Sequence, residues 1–119
     1  MKKVNTNNFK KTLSKFSTGI TVVCVKNNNS IYGKTVNSFN SLSLNPPMVL
    51  FSLGNYSSSI KQFSNTNFLS INILSSKQKK LSDNFASTRP KLENIKFIEG
   101  KYKTAIIPNC IANLECKLI

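Results

Sequence analysis

The spacing of apolar side chains along the chain predicts a sheet-rich fold with short helices. Phe9, Leu13 and Phe16 stand at i, i+4 and i+7, one face of a helix over residues 6–17. Thr6 can cap that helix, and Gly19 can end it in a left-handed turn. Residues 20–25, Ile-Thr-Val-Val-Cys-Val, are β-branched and predict a buried strand. Asn27, Asn28, Asn29 and Ser30 mark a turn, and residues 31–36 the returning strand of a hairpin. Residues 37–45 are polar and read as irregular, with Pro46 and Pro47 holding the chain extended after them. A third strand is expected over 48–53, a break at Gly54 and Asn55, and a short helix over 57–63 with a hydroxyl-rich start. Residues 68–74 alternate Phe68, Ser70 and Asn72 against Leu69, Ile71 and Ile73, a fourth strand. Ser76 caps a helix running to Ala86, with Leu81 and Phe85 on one face. Arg89-Pro90 and Pro108 break a mixed stretch, and residues 111–119 read as a fifth strand.

Five strands at hairpin spacing with two or three short helices make a mainly β fold, an antiparallel barrel with peripheral helices. A length of 119 residues suits a single domain over 1–119. A strand that ends at the last residue has no later strand to close its sheet.

Composition narrows the chemistry. There is no His and no Trp, and the only acids, Asp83, Glu93, Glu99 and Glu115, are dispersed. A His-based triad, a His-ligated zinc site or a carboxylate cage cannot be built from one copy. No metal site and no catalytic side chain is expected; an enzyme made from this chain takes its reactive atom from a bound cofactor. Cys24 reads as a core residue. With Cys110 and Cys116 it makes an odd set without C-x-x-C, which argues against a disulfide framework. No apolar run approaches the ~20 residues of a membrane span, and Met1-Lys2-Lys3-Val4 opens no signal sequence. The cytoplasm is the expected location, with no membrane partner.

The net charge of +13 has two readings. Sixteen of the seventeen basic residues are Lys, and Asn is also frequent, as an AT-rich coding sequence would produce. Alternatively the charge serves an anionic partner, nucleic acid or a phosphorylated cofactor. The Lys doublets are scattered and the aromatics sit in apolar runs, which argues against a stacking platform for single strands. Two segments carry small residues and hydroxyls at strand ends, 33–41 and 52–59. In the second the hydroxyls stand at an expected helix start, where free N–H groups and the helix dipole favour an anion. The same residue types also make ordinary turns and caps.

Several ordered motifs resemble the flavin reductase-like family. Residues 16–23, Phe-Ser-Thr-Gly-Ile-Thr-Val-Val, are similar to its F-x-T-G-V-T-V-V signature. Residues 33–47 resemble G-x-T-V-x-S-F-x-S-x-S-L-x-P-P, and 48–53 continue in register. Ser57-Ser58-Ser59, residues 68–74, residues 81–87 and Leu114-Glu115-Cys116 complete the likeness over residues 9–119. The resemblance implies an FMN-binding split β-barrel, incomplete here at its C-terminus, in a chain that is truncated or a fragment. It implies that Thr35, Val36, Asn37 and Ser38 lie along the isoalloxazine and ribityl chain, where backbone N–H groups near Asn37 and Ser38 could stabilise the reduced ring. Ser52, Leu53, Asn55, Ser57 and Ser58 would surround the phosphate. Phe85 and Ala86 would approach the flavin from the next element, and Arg89 would meet a phosphate or adenylate tail.

The activity implied is an NAD(P)H:flavin oxidoreductase with FMN, or FAD, as flavin. It would work as a homodimer, passing hydride from nicotinamide C4 to flavin N5 and supplying reduced flavin to a partner monooxygenase. Family members continue past the L-E-C strand into a G-D-H motif whose His helps place the nicotinamide, and this chain has no His. Two alternatives therefore stand beside the reductase. One is a flavin-binding chain without turnover. The other is a basic nucleic-acid-binding barrel, which leaves the two hydroxyl segments unexplained.

Overall fold

The computed structural model describes residues 7, 20–36, 39–53, 60–87 and 89–119. Apart from Asn7, the helix expected over 6–17 lies outside the described residues. The expected hairpin is present: β1 (Thr21–Asn27) pairs antiparallel with β2 (Ser30–Val36). Its two-residue turn holds Asn28 at φ 50° and Asn29 at φ 71°. Asn tolerates this left-handed region better than other residues with a Cβ, and the resulting twist matches the flanking strands.

The polar stretch expected to be irregular instead contains β3 (Asn40–Leu44), which pairs with β4 (Pro47–Leu50). Asn45 and Pro46, joined by a cis peptide bond, thus turn a hairpin, while Pro47 opens the extended strand β4. Ser41 and Ser43 alternate with Leu42 and Leu44, a strand pattern hidden under a polar composition. The third expected strand is correspondingly shorter than 48–53. Helix α1 (Ile60–Ser64) comes next, then β5 (Phe68–Ile73). The helix expected from Ser76 opens as one 3-10 turn (Ser76–Gln78), and α2 proper covers Lys79–Ala86. The Gln78 side chain accepts from the Ser75 N–H at 2.8 Å and donates to the Pro108 carbonyl at 2.9 Å. The mixed stretch contains a further small hairpin, β6 (Ile98–Glu99) with β7 (Ala105–Ile106). Strand β8 (Ala112–Lys117) completes the described elements.

The main sheet has the order β2-β1-β5-β8, antiparallel throughout and open rather than closed into a barrel among the described residues. Alternation splits its core into two layers. Val23, Val25, Val36, Leu69 and Ile71 pack with Phe63 of α1 on one face, joined by Phe39, Val49, Phe51 and Leu53. Val22, Cys24, Leu74, Phe85 and Ile107 fill the other, under α2. Ser70 and Asn72 belong to that second face and are buried, so the polar half of β5 is interior. Burial is tolerable because their groups are satisfied. Asn72 Nδ2 donates to the Val22 carbonyl at 3.1 Å, and its Oδ1 accepts from the Ile107 N–H at 3.0 Å and Asn113 Nδ2 at 2.8 Å. The Ser70 hydroxyl donates to the Ala105 carbonyl.

Candidate functional site

Strand β2 ends the sheet on one side, so among the described residues its outer edge has no paired neighbour. Opposite residues of an antiparallel pair share a face. Gly33 and Thr35 face Cys24 and Val22, and therefore α2; Lys34 and Val36 face Val23 and Thr21, on the other side. Helix α2 sits close because Gly33 has no side chain. A Cβ there would come within 2.6 Å of Phe85 Cδ1. The Thr35 hydroxyl donates to the Ser82 carbonyl at 2.8 Å, a second tie between strand and helix. The hydroxyl oxygen keeps its capacity to accept a hydrogen bond.

The hairpin joins the two hydroxyl-bearing segments. Asn40 pairs with Leu50, so the connection entering β3 and the segment leaving β4 emerge at the same end. Val36, Phe39, Phe51 and Leu53 pack into one cluster there. Of the residues singled out by the sequence, Thr35, Val36, Leu53 and the α2 terminus are thereby gathered around the end of β2. Ser52 is exposed beside them. Phe85 is fully buried against Gly33 and underlies the strand, whereas Ala86 is exposed. Arg89 is exposed in the loop after α2, which Asn84 fastens by donating to the Lys91 carbonyl and accepting from its N–H. Asn37, Ser38, Asn55, Ser57 and Ser58 lie outside the described residues.

Sequence reasoning missed three features. Lys34, half-buried between Gly33 and Thr35, is a cation within the site region. Its signal was available, because no carboxylate precedes Asp83 and the first 82 residues are purely basic in charge. The second is the role of Gly33 in admitting Phe85, which is a contact distant in sequence. The third is Glu115. Its carboxylate accepts from the N–H groups of Lys101 and Tyr102, both at 2.9 Å, and from the Thr104 hydroxyl at 2.7 Å. Burial pushes the Glu115 carboxyl up, but the bonds from Thr104, Tyr102 and Lys101 outweigh it and hold it below its ordinary value. This acid fastens the β6–β7 turn and is not part of the β2 region.

The thiols are not placed as nucleophiles. Burial pushes Cys24 up to about 12, against a hydrogen bond with Ser70, and burial also raises Cys110 and Cys116. Among the described residues no group of three His, Cys, Asp or Glu is placed to hold a metal ion. No helix among them is long and apolar enough to cross a membrane.

A hydroxyl-bearing strand end in a carboxylate-free half of the chain suits an anionic, flat-ringed ligand. The family pattern described as "Flavin reductase like domain" matches residues 13–119. The chain belongs to the flavin reductase like family. It is 34% identical over 113 residues to the FMN reductase (NADH) SmoA of Agrobacterium fabrum, covering 95% of this chain and 65% of that protein. It is 33% identical over 109 residues to the flavin-dependent monooxygenase reductase subunit HsaB of Mycobacterium tuberculosis, covering 91% of this chain and 58% of the subunit. This flavin reductase like chain thus spans less than two thirds of the length of either relative. Its fold is similar to that of the NADH:FAD oxidoreductase SgcE6 of Streptomyces globisporus, solved with NAD and FAD fragments. The TM-score is 0.79 at 26% identity, over 100% of this chain and 74% of the other.

Proposed function

We propose that this chain is the flavin-binding part of an NAD(P)H-dependent flavin reductase that supplies reduced flavin to a partner monooxygenase. The observation that carries the reading is the meeting of three segments at the end of β2. They are the strand itself through Thr35 and Val36, the hairpin exit through Leu53, and α2 through Ser82 and Phe85, which meet Thr35 and Gly33. The names of the relatives support it: one is an FMN reductase using NADH, and another the reductase subunit of a flavin-dependent monooxygenase. FMN is the expected flavin, with FAD the other candidate.

When bound, the flavin supplies the hydride-accepting centre. What falls to the chain is binding and orientation. Thr35, Val36, Asn37 and Ser38 would lie along the ring and ribityl chain, where backbone donors at a free strand edge suit charge on a reduced ring. Ser52, Leu53, Asn55, Ser57 and Ser58 would hold the phosphate, with Ala86, Phe85 beneath, and Arg89 on the α2 side. Such a division asks for no His and no paired carboxylates, in keeping with the composition. A single domain over 1–119, a homodimer and a cytoplasmic location belong to the same reading, which has no place for nucleic acid.

Titration of the purified chain with FMN tests the proposal. We expect binding at roughly micromolar concentration or tighter; a chain that leaves FMN unquenched and unshifted there contradicts it. NADH oxidation with added FMN then separates a reductase from a chain that holds flavin without turnover. Replacing Ser57 and Ser58 together by Leu should weaken FMN about tenfold and leave riboflavin nearly unchanged. Equal losses would place the phosphate elsewhere.

A further inference from the structure

We infer that Lys34 is the specificity residue that favours phosphorylated flavin over riboflavin, an inference that rests on the flavin-binding reading. Two observations carry it independently of the motifs. The first is position. The register sets Lys34 opposite Val23, on the same face of β2 as Tyr32 and Val36. That face holds the cluster with Phe39, Phe51 and Leu53, where the chain leaves β4 and exposes Ser52. A half-buried Lys packs its stem along such apolar surface and keeps its ammonium in water. Lys34 therefore stands on the face of the strand whose cluster takes in Phe51 and Leu53.

The second is charge. Asp83 lies on α2, against the opposite face of the strand, and Glu115 on β8, at the far edge of the sheet. Glu99 is on β6 and Glu93 precedes it, and none of β1, β2, β3 and β4 carries a carboxylate. A half-buried cation on strands without carboxylates is suited to a ligand dianion. Arg89, the cation that the sequence offered for this task, follows α2 on the other face. Of the two cations, Lys34 is the one on the strand face that carries Val36 of the cluster with Phe51 and Leu53.

The test compares FMN and riboflavin by quenching of flavin fluorescence in the unaltered chain, K34M, K34R and R89Q. K34M keeps the stem and removes the charge. We expect K34M to weaken FMN about tenfold or more and riboflavin less than about twofold, with K34R within about threefold of the unaltered chain. R89Q should cost FMN less than K34M. Selective loss of FMN with riboflavin retained cannot come from misfolding, because both ligands share the ring. Equal losses for the two flavins, no loss in K34M, or a larger loss in R89Q would each overturn the inference while leaving flavin binding standing. An unaltered chain that binds neither flavin would overturn the flavin reading itself and the inference with it.

Discussion

Strands β2 and β8 are each paired on one side among the described residues, yet they present different kinds of residue. Along β2 the sequence places Gly33, Lys34 and Thr35, a small residue, a cation and a hydroxyl, with α2 drawn close on one face. Along β8 it places Leu114 outward at 41% exposure, followed by Leu118 and Ile119. A cleft of about 1050 Å³ opens there between β5, β8 and the β3–β4 hairpin, walled by Leu44, Met48, Leu69, Ile71 and Leu114. Size alone would make that cleft the natural binding site. Its chemistry argues otherwise: the lining is mostly apolar, and of its two charged side chains, Lys117 and Glu115, the carboxylate opposes an anion. The one acid of β8, Glu115, is spent on fastening a turn. Among the described residues, the β2 edge carries the small residue, the cation and the hydroxyl, and the β8 edge runs beside an apolar surface of the kind that proteins usually cover.

The comparison can be broken most severely at the strand between the two edges. Asn72 links β5 to β1 through the Val22 carbonyl, and to β7 and β8 through Ile107 and Asn113. Asn72→Ala leaves the Ile107 N–H buried without its acceptor, and unfolding by denaturant should show a loss of about 3 kcal/mol. A loss below about 1 kcal/mol would mean that the network contributes little.

The β2 edge is broken next by Gly33→Ala. The added Cβ meets the Phe85 ring with no flexible side chain to yield, so we expect about 1–3 kcal/mol of destabilisation. Flavin affinity should fall with it, because α2 must move away from Thr35. Phe85→Leu in the same chain should restore part of both. If the double variant is no better than the single, the contact is not the cause.

Those two residues also show what the sequence could and could not disclose. The β1–β2 hairpin, β5, β8 and α2 were legible from β-branched runs, Asn turns and a four-residue apolar spacing. β3 was obscured because Asn and Ser outnumber its two Leu, and β6 and β7 because two-residue strands have no period to detect. Asn72 was legible only as one alternate of β5, because a strand buried on both faces cannot be told from a half-exposed one until the elements covering it are known. The site region was legible as motif segments. That they meet at one strand end depends on the Asn40–Leu50 pairing and on the fit of Phe85 under Gly33, contacts remote in sequence.

The smallest expected effect sharpens the contrast from the β8 side. The Glu115 carboxyl is held below its ordinary value in the folded chain, so its contribution is complete above the unfolded value near 4.5 and is lost as pH falls through the folded one. The residue is half-buried with its carboxylate still reached by solvent, and screening keeps the whole contribution under about 1 kcal/mol. Amide exchange gives a local readout that global melting would blur. The Lys101 and Tyr102 N–H groups should be protected near neutral pH and lose protection on acidification below the ordinary carboxyl value near 4.5. In Glu115→Gln that protection should be weaker at neutral pH and flat with pH, while FMN affinity stays within about twofold of the unaltered chain. A change in flavin binding here would mean that the two edges are coupled through the sheet, and that Glu115 serves the site as well as the turn.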